Sequence, residues 1–540
     1  MAEMALRPSS VRSVALLDVA ARAGTTVPAS DVADLAVTGA SVDSKSVAPG
    51  DLFGAFAGFN RHGAVFAADA VAAGAVAILT DADGALQVAE LGVPVLIADD
   101  ARLAMGEAAA LIYGDPSRAM VFIGITGTNG KTTTAYFVDN ALAAKHPRRG
   151  IMGTVELRVG DQAIESPRTT VESPVLHALL ARMREEGVTA AVTEVSSHAA
   201  ELERISGAEF SVAVFTNLQW DHLDFHHTME NYLKAKAKLF APGRARRGVI
   251  NIDDQWGQQL AAQVLIPVET VATRLENAST DAALAADWAV TDADVGLDGV
   301  GSRFTFRDPH GALHEAHSPL PGLVNVSNAL VAIVTAHAAG LELDAAIEGV
   351  ATAHAVPGRM ERVIERSDVD PLAIVDYAHT PDALTLALEG VRPITPGKLI
   401  LIFGSDGDRD QGKRPVMGEI AARLADVIVL TDENPRSEEP AAIRAAIRAG
   451  IETVRPDLAD VHEVEPRIAA VEYGLRLGGP GDTVIVTGKG HEPTQEVAGV
   501  FYRYNDRDAY LQAQARIEAE RDAPGRDRAP TAHVQEESDS

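Results

Sequence analysis

The chain contains no cysteine among its 540 residues. Disulfides, thiolate metal sites and a cysteine nucleophile are therefore excluded. Positive charge is scarce: 47 Lys and Arg stand against 76 Asp and Glu, a formal net charge of −29. General nucleic-acid binding needs a basic footprint, and this chain does not supply one. No apolar run is long enough to span a bilayer. The first two dozen residues, Met1 to Gly24, lack the continuous apolar stretch of a secretory signal. These absences predict a cytoplasmic protein with no membrane insertion and no nucleic-acid partner. What is present is a hydrophobic fraction of 46% and a charged fraction of 23%, typical of a soluble globular protein. The length calls for about three domains.

Three blocks can be read along the chain. The first runs to Asp115-Pro116-Ser117, a turn or linker. The second opens with the strand-like Ala119-Met120-Val121-Phe122-Ile123 and continues to Val356, where Pro357-Gly358 punctuates. The third holds expected strands at 398–403, 427–430 and 483–486, separated by helical patterns. Strands alternating with helices predict an α/β fold of parallel, doubly wound sheets. The expected domains are 1–117, 118–356 and 357–520. Residues 521–540 are polar and charged, ending in Glu-Glu-Ser-Asp-Ser, and are expected to be disordered.

The strongest local signal is Gly124-Ile-Thr-Gly127-Thr128-Asn129-Gly130-Lys131-Thr132-Thr133, set between an apolar strand and a helix. Glycines let backbone amides turn toward phosphate oxygens, and the helix N-terminus adds partial positive charge. Lys131 suits the β/γ-phosphates and Thr132 offers a hydroxyl to Mg²⁺. Farther on, an apolar strand ends in Thr193-Glu194-Val195-Ser196-Ser197-His198. A carboxylate at the carboxyl end of such a strand lies where α/β sheets bind ligands, so Glu194 is a candidate Mg²⁺ ligand.

A helical segment carries Lys234, Lys236 and Lys238. Lys236 shares its face with Tyr232, Leu233, Leu239 and Phe240, an apolar stripe. Burial there would lower its pKa and expose a neutral amine, which reacts with carbon dioxide to give an anionic carbamate. A stem that covers the core while the ammonium reaches water is equally consistent with this spacing.

The run Thr-Gly-Thr-Asn-Gly-Lys-Thr-Thr, then Glu194-Val-Ser-Ser-His, Asn217, Asp221-His222-Leu-Asp224 and Lys236, resembles the Mur ligase family. The resemblance implies a central P-loop-type domain with a mostly parallel sheet, a Rossmann-like C-terminal domain, and an N-terminal domain for a uridine nucleotide. It implies carbamylation of Lys236, which with His222 would hold one Mg²⁺, while Thr132 and Glu194 would hold another. Lys131, Glu194, His222 and Lys236 become the expected catalytic set. Gly127 to Thr133, Asn325, Asn328, Arg359 and Asp376 become the expected ATP contacts. Ser44 and the loop Phe59-Asn60-Arg61 match the UDP positions; Thr169, Thr170, Ser196 and Arg204 match those that receive the muramoyl dipeptide.

The third block resembles the members that add the third peptide residue, through Gly404-Ser-Asp406-Gly-Asp408-Arg409, Asp432-Glu433-Asn434-Pro435-Arg436 and Gly488-Lys-Gly-His-Glu492. Arg436 would grip the distal carboxylate of a diamino acid, since a guanidinium fork matches a carboxylate bidentately. Arg409, Glu433, Asn434, Pro435, Gly488 and Glu492 would complete the pocket. Two departures stand out: Glu433 replaces the usual Asp, and Asp406 occupies a position that is normally Gly. They leave lysine, ornithine or diaminobutyrate open beside meso-diaminopimelate.

The implied activity is ATP-dependent amide formation between that diamino acid and the D-glutamate of UDP-N-acetylmuramoyl-L-alanyl-D-glutamate, through an acyl phosphate, in a monomer using two Mg²⁺. Closure of the C-terminal domain would bring amine and ATP together. A folylpolyglutamate-type synthetase would lack the first domain and the Asn-Pro-Arg pocket. A GTPase switch would need a guanine-reading Asn-Lys-x-Asp segment, which is missing.

Overall fold

The computed structural model describes residues 7–25, 32, 34–58, 61–275, 280–295, 301–354 and 356–522. The chain divides into two compact units, one of residues 1–357 with 389–394 and one of residues 358–388 with 395–540.

The first unit contains two principal sheets. Strands Gly39–Ser41, Asp51–Ala55, Ala77–Thr80 and Val95–Ile97 pair in sequence order, all parallel. The second sheet has eleven strands. Its middle is parallel, in the spatial order Arg149–Met152, Ala190–Glu194, Val121–Thr126, Val212–Phe215, Gly248–Asn251, Val268–Ala272 and Trp288–Val295. Antiparallel pairs flank it at both ends. The three central strands read as near-continuous apolar runs because helices cover both faces of a parallel sheet, and nearly every residue in them is buried. Helix Ser173–Glu185 joins the two cores. Its Leu179, Leu180 and Met183 enter the large-sheet cluster, while Ala178 and Ala181 pack with the cluster of Leu16, Leu52 and Met105.

The second unit holds a six-stranded sheet in the order Glu361–Ile364, Leu372–Val375, Thr483–Val486, Leu399–Phe403, Val427–Leu430 and Val461–Glu463. Only the first pair is antiparallel, so the α/β, Rossmann-like expectation holds. The three expected strands appear at Leu399–Phe403, Val427–Leu430 and Thr483–Val486. The expected strand opening at Ala119 instead begins at Val121, because Pro116–Ala119 forms a 3₁₀ turn. The last described helix extends to Asp522, and residues 523–540, most of the expected disordered tail, lie outside the described residues.

That final helix is clasped by charge to the helix Arg467–Leu477. Arg467 and Asp506 are both fully buried. Arg467 Nε and Nη2 donate to the two Asp506 oxygens at 2.8 Å each, and Nη2 also donates to the Thr487 carbonyl at 2.8 Å. The Tyr504 hydroxyl donates to Asp506 Oδ1 at 2.7 Å. Removing one partner of such a pair strands the other charge in the interior. Asp506→Ala is therefore expected to lose about 3–5 kcal/mol of stability, whereas the apolar double replacement Arg467→Met, Asp506→Leu should lose distinctly less. Urea unfolding of the full chain measures both, and equal losses would show that the charges are not the issue.

Candidate functional site

The strand Val121–Thr126 feeds directly into the glycine loop and the helix Lys131–Leu142. Gly130 closes the turn at φ +84°, where an added Cβ would lie 2.3 Å from Asn328 Oδ1. The neighbouring parallel strand Val212–Phe215 ends beside the loop and pins it. Asn217 accepts from the Thr128 amide on its carbonyl and from the Asn129 amide on Oδ1, each at 3.0 Å. Lys131 Nζ folds back onto the carbonyls of Gly127 (3.0 Å) and Thr128 (2.9 Å). Thr132 and Thr133 are buried at the start of the helix.

On the other side, Ala190–Glu194 carries Glu194 to the same sheet edge. Thr132 Oγ1 donates to Glu194 Oε2 at 3.0 Å; the Thr154 amide donates to Oε1 at 2.8 Å and its hydroxyl to Oε2 at 3.1 Å. A hydroxyl and a carboxylate side by side at a phosphate loop fit Mg²⁺, which takes one or two protein ligands and completes its shell with water and phosphate. Among the described residues no group of three or more His, Asp and Glu side chains forms a cation cage.

Lys236, on helix Met229–Ala237, is 1% exposed. Its Nζ donates to the Gly127 carbonyl at 2.7 Å and lies 4.5 Å from the centre of the Tyr232 ring. Burial, with the charge of Lys131 on the same carbonyl, pushes its pKa well below the usual lysine range. The two readings left open by the spacing are thus separated in favour of a buried amine; Lys234 is the exposed member of the three. Half-exposed His222 adopts φ +54° and sits 3.3 Å from the Asp221 carboxylate. Its ring lies 4.8 Å from His198 and 6.2 Å from Tyr232. Burial and the neighbouring His198, Lys131 and Lys236 lower its pKa.

The expected dipeptide residues gather beyond Glu194. Thr170 Oγ1 donates to the Glu194 carbonyl at 2.9 Å and accepts from the Ser196 amide at 3.0 Å. The Thr169 hydroxyl lies 3.1 Å from the Thr154 hydroxyl, which can accept from it. Arg204 pairs with Glu172 at 2.9 Å and donates to the Thr170 carbonyl at 3.4 Å. In the small sheet's domain, Ser44 opens a 3₁₀ turn capped by Asp43, and Arg61 is exposed. Phe59 and Asn60 lie outside the described residues.

Asn325 and Asn328 are buried on helix Leu323–Ala338. Asn328 Nδ2 donates to Asn325 Oδ1 at 3.1 Å, and Asn325 Nδ2 to the Pro321 carbonyl at 2.8 Å. In the second unit, the Arg359 guanidinium lies 4.2 Å over the Tyr377 ring. Asp376 accepts from the Met360 and Ala378 amides, each at 2.8 Å.

The loops after Leu399–Phe403, Val427–Leu430 and Thr483–Val486 meet at the carboxyl edge of the second unit's sheet, where open α/β sheets bind ligands. The Gly407 amide donates to the Asn434 carbonyl at 2.8 Å, and a Cβ on Gly407 would lie 1.9 Å from the Pro435 carbonyl. Asn434 is buried, accepting from Lys489 Nζ at 2.7 Å and donating to Glu492 at 3.1 Å. Arg436, at φ +54°, donates to Asp406 Oδ2 at 3.3 Å, and its Nε stands 3.8 Å from Glu496. Glu433 is 2% exposed, and a Cβ on Gly488 would lie 2.5 Å from its Oε2. Arg409 is exposed on the loop that carries Asp406.

Sequence reasoning did not single out Thr154, which clamps both oxygens of Glu194, or Lys489, which ties Asn434 to Glu492 at 2.8 Å. Lys489 stood in view within Gly-Lys-Gly; Thr154 carries no signal, because only the order of the strands brings it to Glu194.

Three family models match in succession: Mur ligase family, catalytic domain at residues 36–113; Mur ligase middle domain at 125–336; and Mur ligase, glutamate ligase domain at 358–490. A UDP-N-acetylmuramoyl-L-alanyl-D-glutamate–2,6-diaminopimelate ligase of Streptomyces avermitilis is 46% identical, covering 93% of this chain and 96% of the relative. A UDP-N-acetylmuramyl-tripeptide synthetase of Leifsonia xyli is 44% identical, covering 94% and 97%. A solved structure of a UDP-N-acetylmuramoyl-L-alanyl-D-glutamate–2,6-diaminopimelate ligase superposes with a TM-score of 0.66 at 30% identity, covering 95% of this chain and all of the other. With this likeness running through three consecutive domains and almost the whole length, the chain belongs to the Mur ligase family.

Proposed function

We propose that this chain ligates a diamino acid, meso-diaminopimelate, to the D-glutamate of UDP-N-acetylmuramoyl-L-alanyl-D-glutamate at the expense of ATP, in peptidoglycan synthesis. The observation that carries the reading is Arg436, held at the carboxyl edge of the C-terminal sheet against Asp406 and Glu496, on the loop that also carries Asn434. The relatives' names supply the chemistry that this pocket fits. The working domains are 1–117, 118–356 and 357–520, in a cytoplasmic monomer with the tail 521–540.

Thr170, Ser196 and Arg204 receive the acidic dipeptide beside Glu194. The γ-carboxylate of D-glutamate attacks the γ-phosphorus of ATP, ADP departs, and an acyl phosphate forms. The α-amine of the diamino acid then attacks the acyl carbon, and phosphate leaves as the amide is made. The loop amides from Gly127 to Thr133 and Lys131 hold the phosphates in line, so most of the acceleration comes from positioning and charge stabilisation. Asn325 and Asn328 shape the adenine side; Arg359 and Asp376 serve the nucleotide from the C-terminal domain. Thr132 and Glu194 would hold one Mg²⁺, and His222 with a carbamylated Lys236 would hold a second. When bound, these ions neutralise charge on the transferring phosphoryl group. Capture of carbon dioxide requires a neutral amine, and burial of Lys236 shifts its amine in that direction.

The primary assay is ATP- and Mg²⁺-dependent phosphate release with the UDP-dipeptide and each diamino acid in turn, with mass analysis of the product. An amide of meso-diaminopimelate is expected; no product with it, lysine, ornithine or diaminobutyrate would sink the reading. Lys236→Met should lower kcat by about 10²–10³-fold. Intact mass spectrometry in bicarbonate should show an added carbon dioxide on the unsubstituted chain only, and its absence would remove the carbamate. Arg436→Ala should raise KM for meso-diaminopimelate about 10–100-fold, the worth of a charged hydrogen bond; an unchanged KM would dismiss it from the pocket.

Glu433 gives a pH signature. Burial, with the charge of Asp406 beside it, raises its carboxyl to about 8. The folded chain then binds this proton more tightly than the unfolded one. The contribution to stability is complete below the ordinary value of 4.5 and is lost as pH rises toward 8. Glu433→Gln keeps the neutral shape, so its melting temperature relative to the parent should climb through that window. A pH-independent difference would contradict the buried, protonated state.

A further inference from the structure

The pair formed by Asp406 and Arg436 is incomplete in a specific way. One Nη2 to Oδ2 hydrogen bond of 3.3 Å joins them. Asp406 Oδ1 and Arg436 Nε are buried with no hydrogen-bond partner among the described residues. One is an acceptor and the other a donor, carried by the two halves of the same ion pair. Behind them, Glu433 Oε2 is likewise buried without a hydrogen-bond partner, on a side chain 2% exposed, facing the bare backbone of Gly488. Glu496 adds a carboxylate 3.8 Å from Arg436 Nε. Lys489, the cation nearest Glu492, is committed to Glu492 and Asn434. Burial and the charge of Asp406 raise the Glu433 carboxyl to about 8, against the opposing charges of Lys413 and Arg467. Asp406 Oδ1 is thus left as a buried acceptor with room for a donor.

The distal carbon of meso-diaminopimelate bears an ammonium and a carboxylate together. We propose that Asp406 is a specificity-determining residue, receiving the distal ammonium of the incoming diamino acid on Oδ1 while Arg436 takes the distal carboxylate. The inference rests on the function proposed above and adds to it a reader for the second amine. A site built to bond a charged group rejects analogues that lack it, because its own buried partner is left unpaired. The rigid contact of the Gly407 backbone with Asn434 and Pro435 holds Asp406 in register with Arg436.

The test compares meso-diaminopimelate with 2-aminopimelate, which keeps the distal carboxylate but lacks the distal amine, in the phosphate-release assay with the UDP-dipeptide. The unsubstituted enzyme should prefer meso-diaminopimelate by about tenfold or more in kcat/KM. Asp406→Asn should bring that ratio close to one, through a raised KM for meso-diaminopimelate with kcat within about twofold. Asp406→Glu should keep part of the preference. Retained turnover of 2-aminopimelate by the Asn variant shows that its active site is intact. An unchanged ratio in Asp406→Asn, or an equal loss with both acceptors, overturns the inference and leaves Asp406 as a support for Arg436. An unsubstituted enzyme that uses the two acceptors equally overturns the inference alone. One that uses neither, nor lysine, ornithine or diaminobutyrate, overturns the proposed function with it.

Discussion

Three adjacent parallel strands, Ala190–Glu194, Val121–Thr126 and Val212–Phe215, must end at the same sheet edge. Everything in the central site depends on that constraint. It delivers a carboxylate from one strand, a phosphate loop from the next and the loop-pinning Asn217 from the third. None of these groups is near another in sequence. The hydrogen bond from Thr132 to Glu194 spans 62 residues, and that from Asn129 to Asn217 spans 88. An antiparallel arrangement would send alternate strand ends to the opposite edge and scatter the same residues. The C-terminal sheet repeats the device: three parallel strands put Asp406, Arg436 and Gly488 on neighbouring loops.

Both compact units also use burial to shift an ionisable group toward its neutral form, with opposite signs. The interior and the charge of Lys131 push the Lys236 amine well below the usual lysine range. Glu433 keeps its proton because the interior and Asp406 disfavour a second anion. In each case a neighbour of like charge adds to desolvation. The neutral amine is a nucleophile, and the neutral carboxyl is a group ready to ionise when a cation arrives. Neither property belongs to the residue type in water; both come from where the fold places it.

How much of this was legible depended on whether the chemistry was local in the chain. The phosphate loop, the apolar face of Lys236 and the strands of the C-terminal domain could be read directly, since each is a pattern within a dozen residues. Family resemblance extended the reading to Arg204, Asn328 and Arg436, whose roles no spacing reveals. Thr154 stayed invisible because its contact with Glu194 exists only through strand order. The meaning of Asp406 was ambiguous for a related reason. A carboxylate near an arginine can cancel it or complement it, and the choice turns on which of their atoms stay unbonded.

The near-contact of Gly407 with the Pro435 carbonyl has a consequence for how this pocket can change over evolutionary time. Two loops locked backbone to backbone cannot drift apart to accept a larger residue, so the route to a new acceptor runs through side chains alone. Exchanges at positions 406, 433 and 436 can redraw the charge pattern presented to the ligand without disturbing the sheet beneath. Gly407, which offers no side chain to any substrate, makes such trials cheap, and a substitution there would remove that freedom.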